Sequence, residues 1–243
     1  MKYKTNNLIE KYLIKNETNV NLREKYLIKT AETLRGFVNK ELLIIQALVS
    51  ARDLENHINE QVMHLIEWMS FFVPELKYQT PDNFKFVDLS GKLCSEAMKI
   101  EDITKQTVGG NIDIKDKQTI LTFSELILKG KLVQDNLMTY SYVELRKMMP
   151  ASVALVGEEV VGELLLKAGS FKKLAKLPAS TIQLLGSEKA FFRFLKTKQR
   201  SPKYGVIYNT AQVSNAQDKD KGKVARTLAN KLAIAIRKDY FGK

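Results

Sequence analysis

Residues Ile44–Phe72 read IIQALVSARDLENHINEQVMHLIEWMSFF. Ile44, Leu48, Ala51, Leu54, Ile58, Val62, Leu65, Met69 and Phe72 recur at spacings of three and four, which is the repeat of one helical face. No proline breaks the pattern before Pro74. Such a seam belongs to a coiled coil or helical hairpin, and equally to a helix buried in an ordinary bundle.

On the N-terminal side, Asn21 and Glu24 stand at capping-box spacing. One helix is therefore predicted from about residue 22 to Phe72, with Gly36 as its weak point. At 1.5 Å per residue it would reach roughly 75 Å. Residues 1–21 are polar, punctuated by asparagine, and too short for a domain. On the C-terminal side, Thr80-Pro81 reads as an N-cap followed by proline at the first helical position. A shorter helical region follows, with Phe84, Val87, Leu93, Cys94 and Met98 as its apolar members. Val108-Gly-Gly-Asn111 reads as a turn. Asp113 then caps a second long helix to about Met148, with Ile120, Phe123, Ile127, Val133, Leu137 and Tyr140 packed back on the first. The expected result is a long antiparallel helical coiled-coil hairpin over 22–149.

Pro150 opens a compact helical part, 150–243. Ala154, Leu155, Val161, Leu164, Leu165 and Ala168 predict one buried helix stopped by Gly169. Ser180 or Thr181 is the expected cap of the next. Tyr204–Tyr208 reads as a short extended piece. The predicted fold class is all-α.

The charge is segregated. The chain of 243 residues carries a net +12. From Lys167 onward there are 18 Lys and Arg against 4 Asp and Glu, leaving 21 against 23 before it. A basic module on a near-neutral scaffold points to a polyanion partner. Between Ser180 and Arg237, two amphipathic helices flank a loop with Pro202, Lys203, Tyr204 and Gly205. In the first helix, Lys189, Arg193, Lys196 and Arg200 share a face, while Phe191, Phe194 and Leu195 are expected to anchor it in a core. Phe192 reads either as a core contact or as an aromatic that stacks on an exposed base. In the second, Lys223, Arg226, Asn230 and Arg237 form a polar stripe against Val224, Leu228, Leu232 and Ala235. Both basic stripes suit phosphate contacts that set register without reading bases.

Enzymatic readings find no support. His57 and His64 are the only histidines, seven apart, with no further ligand at metal-binding spacing. There is no phosphate-binding loop and no dinucleotide fingerprint. Glu158, Glu159, Glu163 and Glu188 read as helix-end or solvent-facing carboxylates. No metal, no cofactor and no catalytic residue is assigned. The lone Cys94 excludes an intramolecular disulfide and fits a reducing compartment. No stretch reaches the roughly 20 apolar residues of a membrane span.

Four blocks carry a resemblance. They are Pro178-Ala-Ser-Thr-Ile-Gln-Leu-Leu-Gly-Ser-Glu-Lys-Ala-Phe-Phe-Arg193, Pro202-Lys-Tyr-Gly-Val-Ile-Tyr208, Lys221–Arg237 and Asp239-Tyr-Phe241. Together with Leu42–Leu76 and Ala154–Gly157, they resemble the Nop domain family from about Leu22 onward, in particular its archaeal core-protein type in box C/D guide ribonucleoproteins. The resemblance implies a non-catalytic scaffold whose compact helical Nop domain clasps a kink-turn RNA already held by a small ribosomal-type protein. It implies pairing with a second copy through the coiled coil. It places the RNA-facing surface on Gln183, Lys189, Phe192, Arg193, Lys196, Arg200, Lys203, Lys223, Arg226, Lys231 and Arg237. Phe191 stands where the family usually has leucine. Family members hold the methyltransferase fibrillarin on a separate N-terminal domain, of which only about 20 residues precede the first helix here. Fibrillarin is therefore not among the firm expectations, and a trimmed, reduced or split form is expected. The setting implied is the cytoplasm of an archaeal cell, or the nucleolus of a eukaryotic one. Two other readings stay open: a structural coiled-coil dimer, and a spliceosome-type relative with a different RNA.

Overall fold

The computed structural model describes residues 21–35, 39–198 and 201–242. Every regular element among them is helical, so the all-α expectation holds. The chain divides into two units at Leu43/Ile44. In the first, α1 covers residues 21–35; residues 1–20 and the suspected weak point Gly36 lie outside the described residues. α2 (Lys40–Phe72) has a cap of its own: the Asn39 side chain accepts from the Leu42 amide at 3.0 Å. The single helix expected from residue 22 is thus two helices. The 33 residues of α2 span roughly 50 Å.

In the second unit α2 is followed by α3 (Glu75–Gln79), α4 (Asn83–Cys94) and α5 (Ile114–Met148). Ile58, Val62, Leu65, Met69 and Phe72 of α2 share a core with Phe86 and Val87 of α4 and Ile120 and Ile127 of α5. Ile44 and Leu48, at the other end of α2, share a second core with Leu145 and Met149. The two long helices therefore run antiparallel.

The register of α5 differs from the predicted one. It buries Ile120, Ser124, Ile127, Gln134, Ser141 and Leu145, a heptad seam with three polar members. Those polar groups are satisfied locally. Ser124 and Ser141 donate to the carbonyls of Ile120 and Leu137, and Gln134 accepts from Lys131. Val133 and Tyr140, expected inside, are exposed instead. The α4 cap is also shifted: the Asp82 carboxylate accepts from the Lys85 amide at 2.7 Å, two residues beyond Thr80.

The 107–110 turn is clasped to the start of α3. Glu75 accepts from the Val108 amide at 2.8 Å and from the Thr107 hydroxyl at 2.9 Å. The Val108 amide is the main cause that holds this carboxyl below the usual glutamate range.

The compact part runs through α6 (Pro150–Val156), α7 (Glu158–Ala168), α8 (Phe171–Lys176), α9 (Ala179–Leu184), α10 (Glu188–Thr197), a 3-10 turn (Val206–Asn209), α11 (Ala211–Ser214) and α12 (Lys221–Phe241). Gly157 splits the helix expected over 154–168 into α6 and α7, leaving Ala154 exposed. Gly169 closes α7 as expected. α9 starts directly after Pro178, so Ser180 and Thr181 lie inside it and are not caps. The Tyr204–Tyr208 region is not extended throughout, because it enters the 3-10 turn at Val206.

α12 is the spine of this part. It buries Ala225, Leu228, Ala229, Leu232, Ala233 and Ile236 in the core formed with α6–α9. Its far end is anchored by Asp239. That buried carboxylate accepts from the amides of Ala151 and Ser152, at 3.0 and 2.8 Å, and from the Ser152 hydroxyl at 2.7 Å. Two orphan amides at the start of α6, and the Ser152 hydroxyl beside them, are thereby satisfied from another helix. Ion pairs Arg52–Glu163 and Arg146–Glu158 tie α7 to α2 and α5. Both are partly solvent-exposed, so their share of stability is small.

Candidate nucleic-acid interface

The interface starts with a turn that only glycine can make. Gly186 ends α9 with φ +90°, and a Cβ there would lie 2.5 Å from Val206 Cγ2. A Cβ on Gly205 would lie 2.0 Å from the Leu185 carbonyl oxygen. These two glycines let the 202–206 segment lie flat on the end of α9. The Gly205 amide donates to the Gln183 carbonyl and the Val206 amide to the Leu185 carbonyl, both at 2.8 Å. The Gln183 side-chain amide donates to the Lys203 carbonyl at 2.6 Å.

The zipped segment forms one wall of a groove of about 1350 Å³. Gln183 of α9, Ser187 and Ala190 at the start of α10, Lys203, and Lys219, Lys223 and Arg226 around the start of α12 all line it. Of the predicted residues, Gln183, Lys203, Lys223 and Arg226 therefore meet in one place. Lys189 and Arg193 are exposed on α10, one before Ala190 and three after it, and Lys196 follows one turn on. None of Lys189, Arg193, Lys196, Lys203, Lys223 or Arg226 makes an ion pair with a described residue. Asp218 also lines the groove but is paired with Lys221, so the other charged side chains there are cations without an ion pair among the described residues, the condition for a positive potential that attracts phosphate.

Other cations are committed internally. Lys221 pairs with Asp218 at 2.8 Å and stands 5.3 Å from the centre of the Tyr208 ring. The hydrogen bond between them is the main cause that raises the Lys221 pKa and lowers that of Asp218. Arg237 donates to the carbonyls of Ala175 and Leu177 at 3.4 and 3.2 Å. It is a strut between α12 and α8, about 16 Å along the helix from Arg226. Lys231 lies in an adjoining hollow of about 470 Å³, which shares Lys223 with the groove and is also lined by Gln212, Asp220 and Thr227. Arg200 lies outside the described residues.

α10 departs most from expectation. It buries none of its residues. Phe191, Phe194 and Leu195 do not anchor it, and Leu195 is 45% exposed. The flanking elements already fill the core with Ile182, Ile207 and Val213. Phe192 is 62% exposed, which removes its core-contact reading and leaves a ring free to stack. Lys219 in the groove went unrecognised in the sequence because it sits in the polar connector before α12, without helical spacing to betray it.

His57 Nδ1 lies 2.7 Å from the Asp53 carbonyl of its own helix, and His64 pairs with Glu67 at 3.8 Å. Among the described residues no group of three His, Cys, Asp or Glu converges on a metal position. Burial pushes the Cys94 thiol up to about 11. No described helix is long and apolar enough to cross a membrane.

Residues 50–243 match the family described as "Nop: snoRNA binding domain, fibrillarin". The chain belongs to the Nop family. Among similar proteins is Nucleolar protein 56 of Schizosaccharomyces pombe, 36% identical over 82% of this chain and 44% of its own length. Nucleolar protein 58 of Candida albicans is 36% identical over 83% of this chain and 42% of its own. The chain thus spans under half the length of these relatives. The crystal structure of a fibrillarin/Nop5p complex is similar at 23% identity, with a TM-score of 0.43, covering 90% of this chain and 70% of that one. The Nop match includes every RNA-facing residue named from the sequence; among the described ones, the fold places Gln183, Lys203, Lys223 and Arg226 in the groove, Lys189, Phe192, Arg193 and Lys196 on α10, Lys231 in the neighbouring hollow and Arg237 against α8.

Proposed function

We propose that this Nop-family chain is a non-catalytic RNA-binding scaffold of a box C/D RNA-guided 2'-O-methylation complex. The observation that carries this reading is the convergence of Gln183, Lys203, Lys223 and Arg226 on one groove, with Lys189 and Arg193 beside it, none of these cations in an ion pair with a described residue, and the groove's Asp218 held by Lys221. In this reading the groove holds the sugar-phosphate backbone of a kink-turn RNA. The small kink-turn-binding protein sits on the same RNA, and the exposed Phe192 stacks on an unpaired base or duplex end. Fibrillarin, named in the family description, supplies the methyltransferase activity, and no residue of the groove is assigned to it. Residues 22–149 form the pairing module and 150–243 the RNA module. A second copy docks on the outer face of α5, where Leu126, Val133 and Tyr140 recur at seven-residue intervals and are exposed. The chain works in the nucleolus where its cell has one, and in the cytoplasm where it does not.

The test is an electrophoretic shift with the preformed complex of kink-turn RNA and its protein. Replacing Lys223 and Arg226 together by Glu is expected to weaken binding at least about 100-fold, with helical content unchanged by circular dichroism. If about 6 phosphates are contacted, log affinity against log salt has a slope near roughly −5, and the double variant flattens it by about 2. Unchanged binding by the double variant overturns the assignment.

A further inference from the structure

We propose that the solvent face of α8 is a second phosphate-binding surface, which follows the stem of the bound RNA beyond the groove. This rests on the groove being an RNA site. α8 splits cleanly: Phe171, Leu174 and Ala175 are buried, and Lys172, Lys173 and Lys176 are exposed on the opposite side. The sequence holds no acidic residue between Glu163 and Glu188. None of the three lysines forms an ion pair with a described residue. A solvated lysine patch usually has interspersed carboxylates, and this one has none to neutralise it.

The patch is rigid from below. The Ser170 hydroxyl accepts from the Lys173 amide at 3.2 Å. Arg237 holds the carbonyls at the other end of α8, and Phe171 packs edge-on against Tyr240 with ring centres 5.0 Å apart. Those contacts fix the backbone that carries the lysines, so little ordering remains to be done when they bind.

α8 is linked to the groove both along the chain and through α12. Arg226, Asn230 and Arg237 lie along one stripe of α12, and Arg237 meets α8. The 11 residues between Arg226 and Arg237 rise about 16 Å, about five nucleotides of a duplex strand at ~3.4 Å each. Pro178 and Ala179 alone separate the Leu177 carbonyl, which Arg237 holds, from Ser180 in the groove wall. A protein partner needs apolar anchors at the centre of its contact, and every apolar side chain of α8 faces inward. Phosphates need none.

The experiment compares two RNAs in complex with the kink-turn-binding protein, one with a flanking stem of about 5 base pairs and one of about 15, against wild type and Lys172→Glu/Lys173→Glu/Lys176→Glu. The expected result is a loss of about tenfold to a hundredfold on the long stem only, with the salt slope falling by about 3. The triple Lys→Gln variant should show the same pattern at smaller size. No loss on the long stem overturns the proposal. An equal loss on both stems overturns it too, since that marks a contact to the bound protein or a general charge effect. Lys223→Glu/Arg226→Glu, run beside it, reports on the groove alone. If that variant binds both RNAs like wild type, the groove reading fails, whatever α8 does.

Discussion

α10 and α12 carry the same kind of sequence, a basic stripe opposite an apolar one, and the fold treats them in opposite ways. α12 puts six apolar side chains into the core and is pinned at its far end by Asp239. α10 buries nothing, although its two faces are more sharply divided. Periodicity identifies a face that avoids water but does not say what covers it. In α12 the cover is α6, α8 and α9. In α10 the same kind of face is presented outward, beside the cations that line the groove.

The contrast breaks most directly in stability. Leu232→Ala empties a fully buried site on α12 and is expected to cost about 2–5 kcal/mol in chemical denaturation. Leu195→Ala on α10 should cost less than about 0.5 kcal/mol. A comparable loss at Leu195 would mean that α10 is packed after all. Asp239→Ala is expected to cost about 2–3 kcal/mol, because it leaves buried donors at the start of α6 without an acceptor. Its amide exchange should rise in α6 and the end of α12 but not in α10. A smaller effect concerns Gly205→Ala, where the added Cβ meets the Leu185 carbonyl. About 1–3 kcal/mol of destabilisation is expected, with RNA binding lost before the fold is.

The smallest effect is a pH response confined to α10. Glu188 at its first turn accepts from the Gly186 amide at 2.7 Å. Desolvation raises its pKa, but the Gly186 and Glu188 amides and the nearby Lys167 outweigh it, so the net shift is downward. A lowered folded pKa means the tie is fully present above the ordinary glutamate range and is lost as pH falls through the lowered value. Exchange of the α10 amides should therefore rise in acid before that of α12, and Glu188→Gln should remove the difference.

Much of this was legible in the sequence. The α2 seam is legible because apolar residues fill nearly every inward position, and all but Leu54 of the nine named are buried. The α5 seam is not legible in the same way, because Ser124, Gln134 and Ser141 take inward positions there, their polarity met by bonds within the same helix. The groove was half legible: charges at helical spacing marked Lys223 and Arg226, whereas Lys219 had no such spacing. Arg237 shared their stripe, yet its guanidinium is turned to backbone carbonyls, a choice that depends on where α8 ends. The break at Gly157 and the cap at Asn39 rest on single residues inside otherwise helical spacing, which periodicity alone does not mark.

The Asp239 carboxylate reaches back 88 and 87 positions in the sequence, to Ala151 and Ser152. During synthesis, α6 therefore waits without its acceptor until α12 has emerged, and α12 also carries Lys223 and Arg226 of the groove. The compact part cannot lock early and leave the RNA surface to follow. A nascent chain halted anywhere before this carboxylate should be readily cut by protease at α6 and inert toward RNA at the same time.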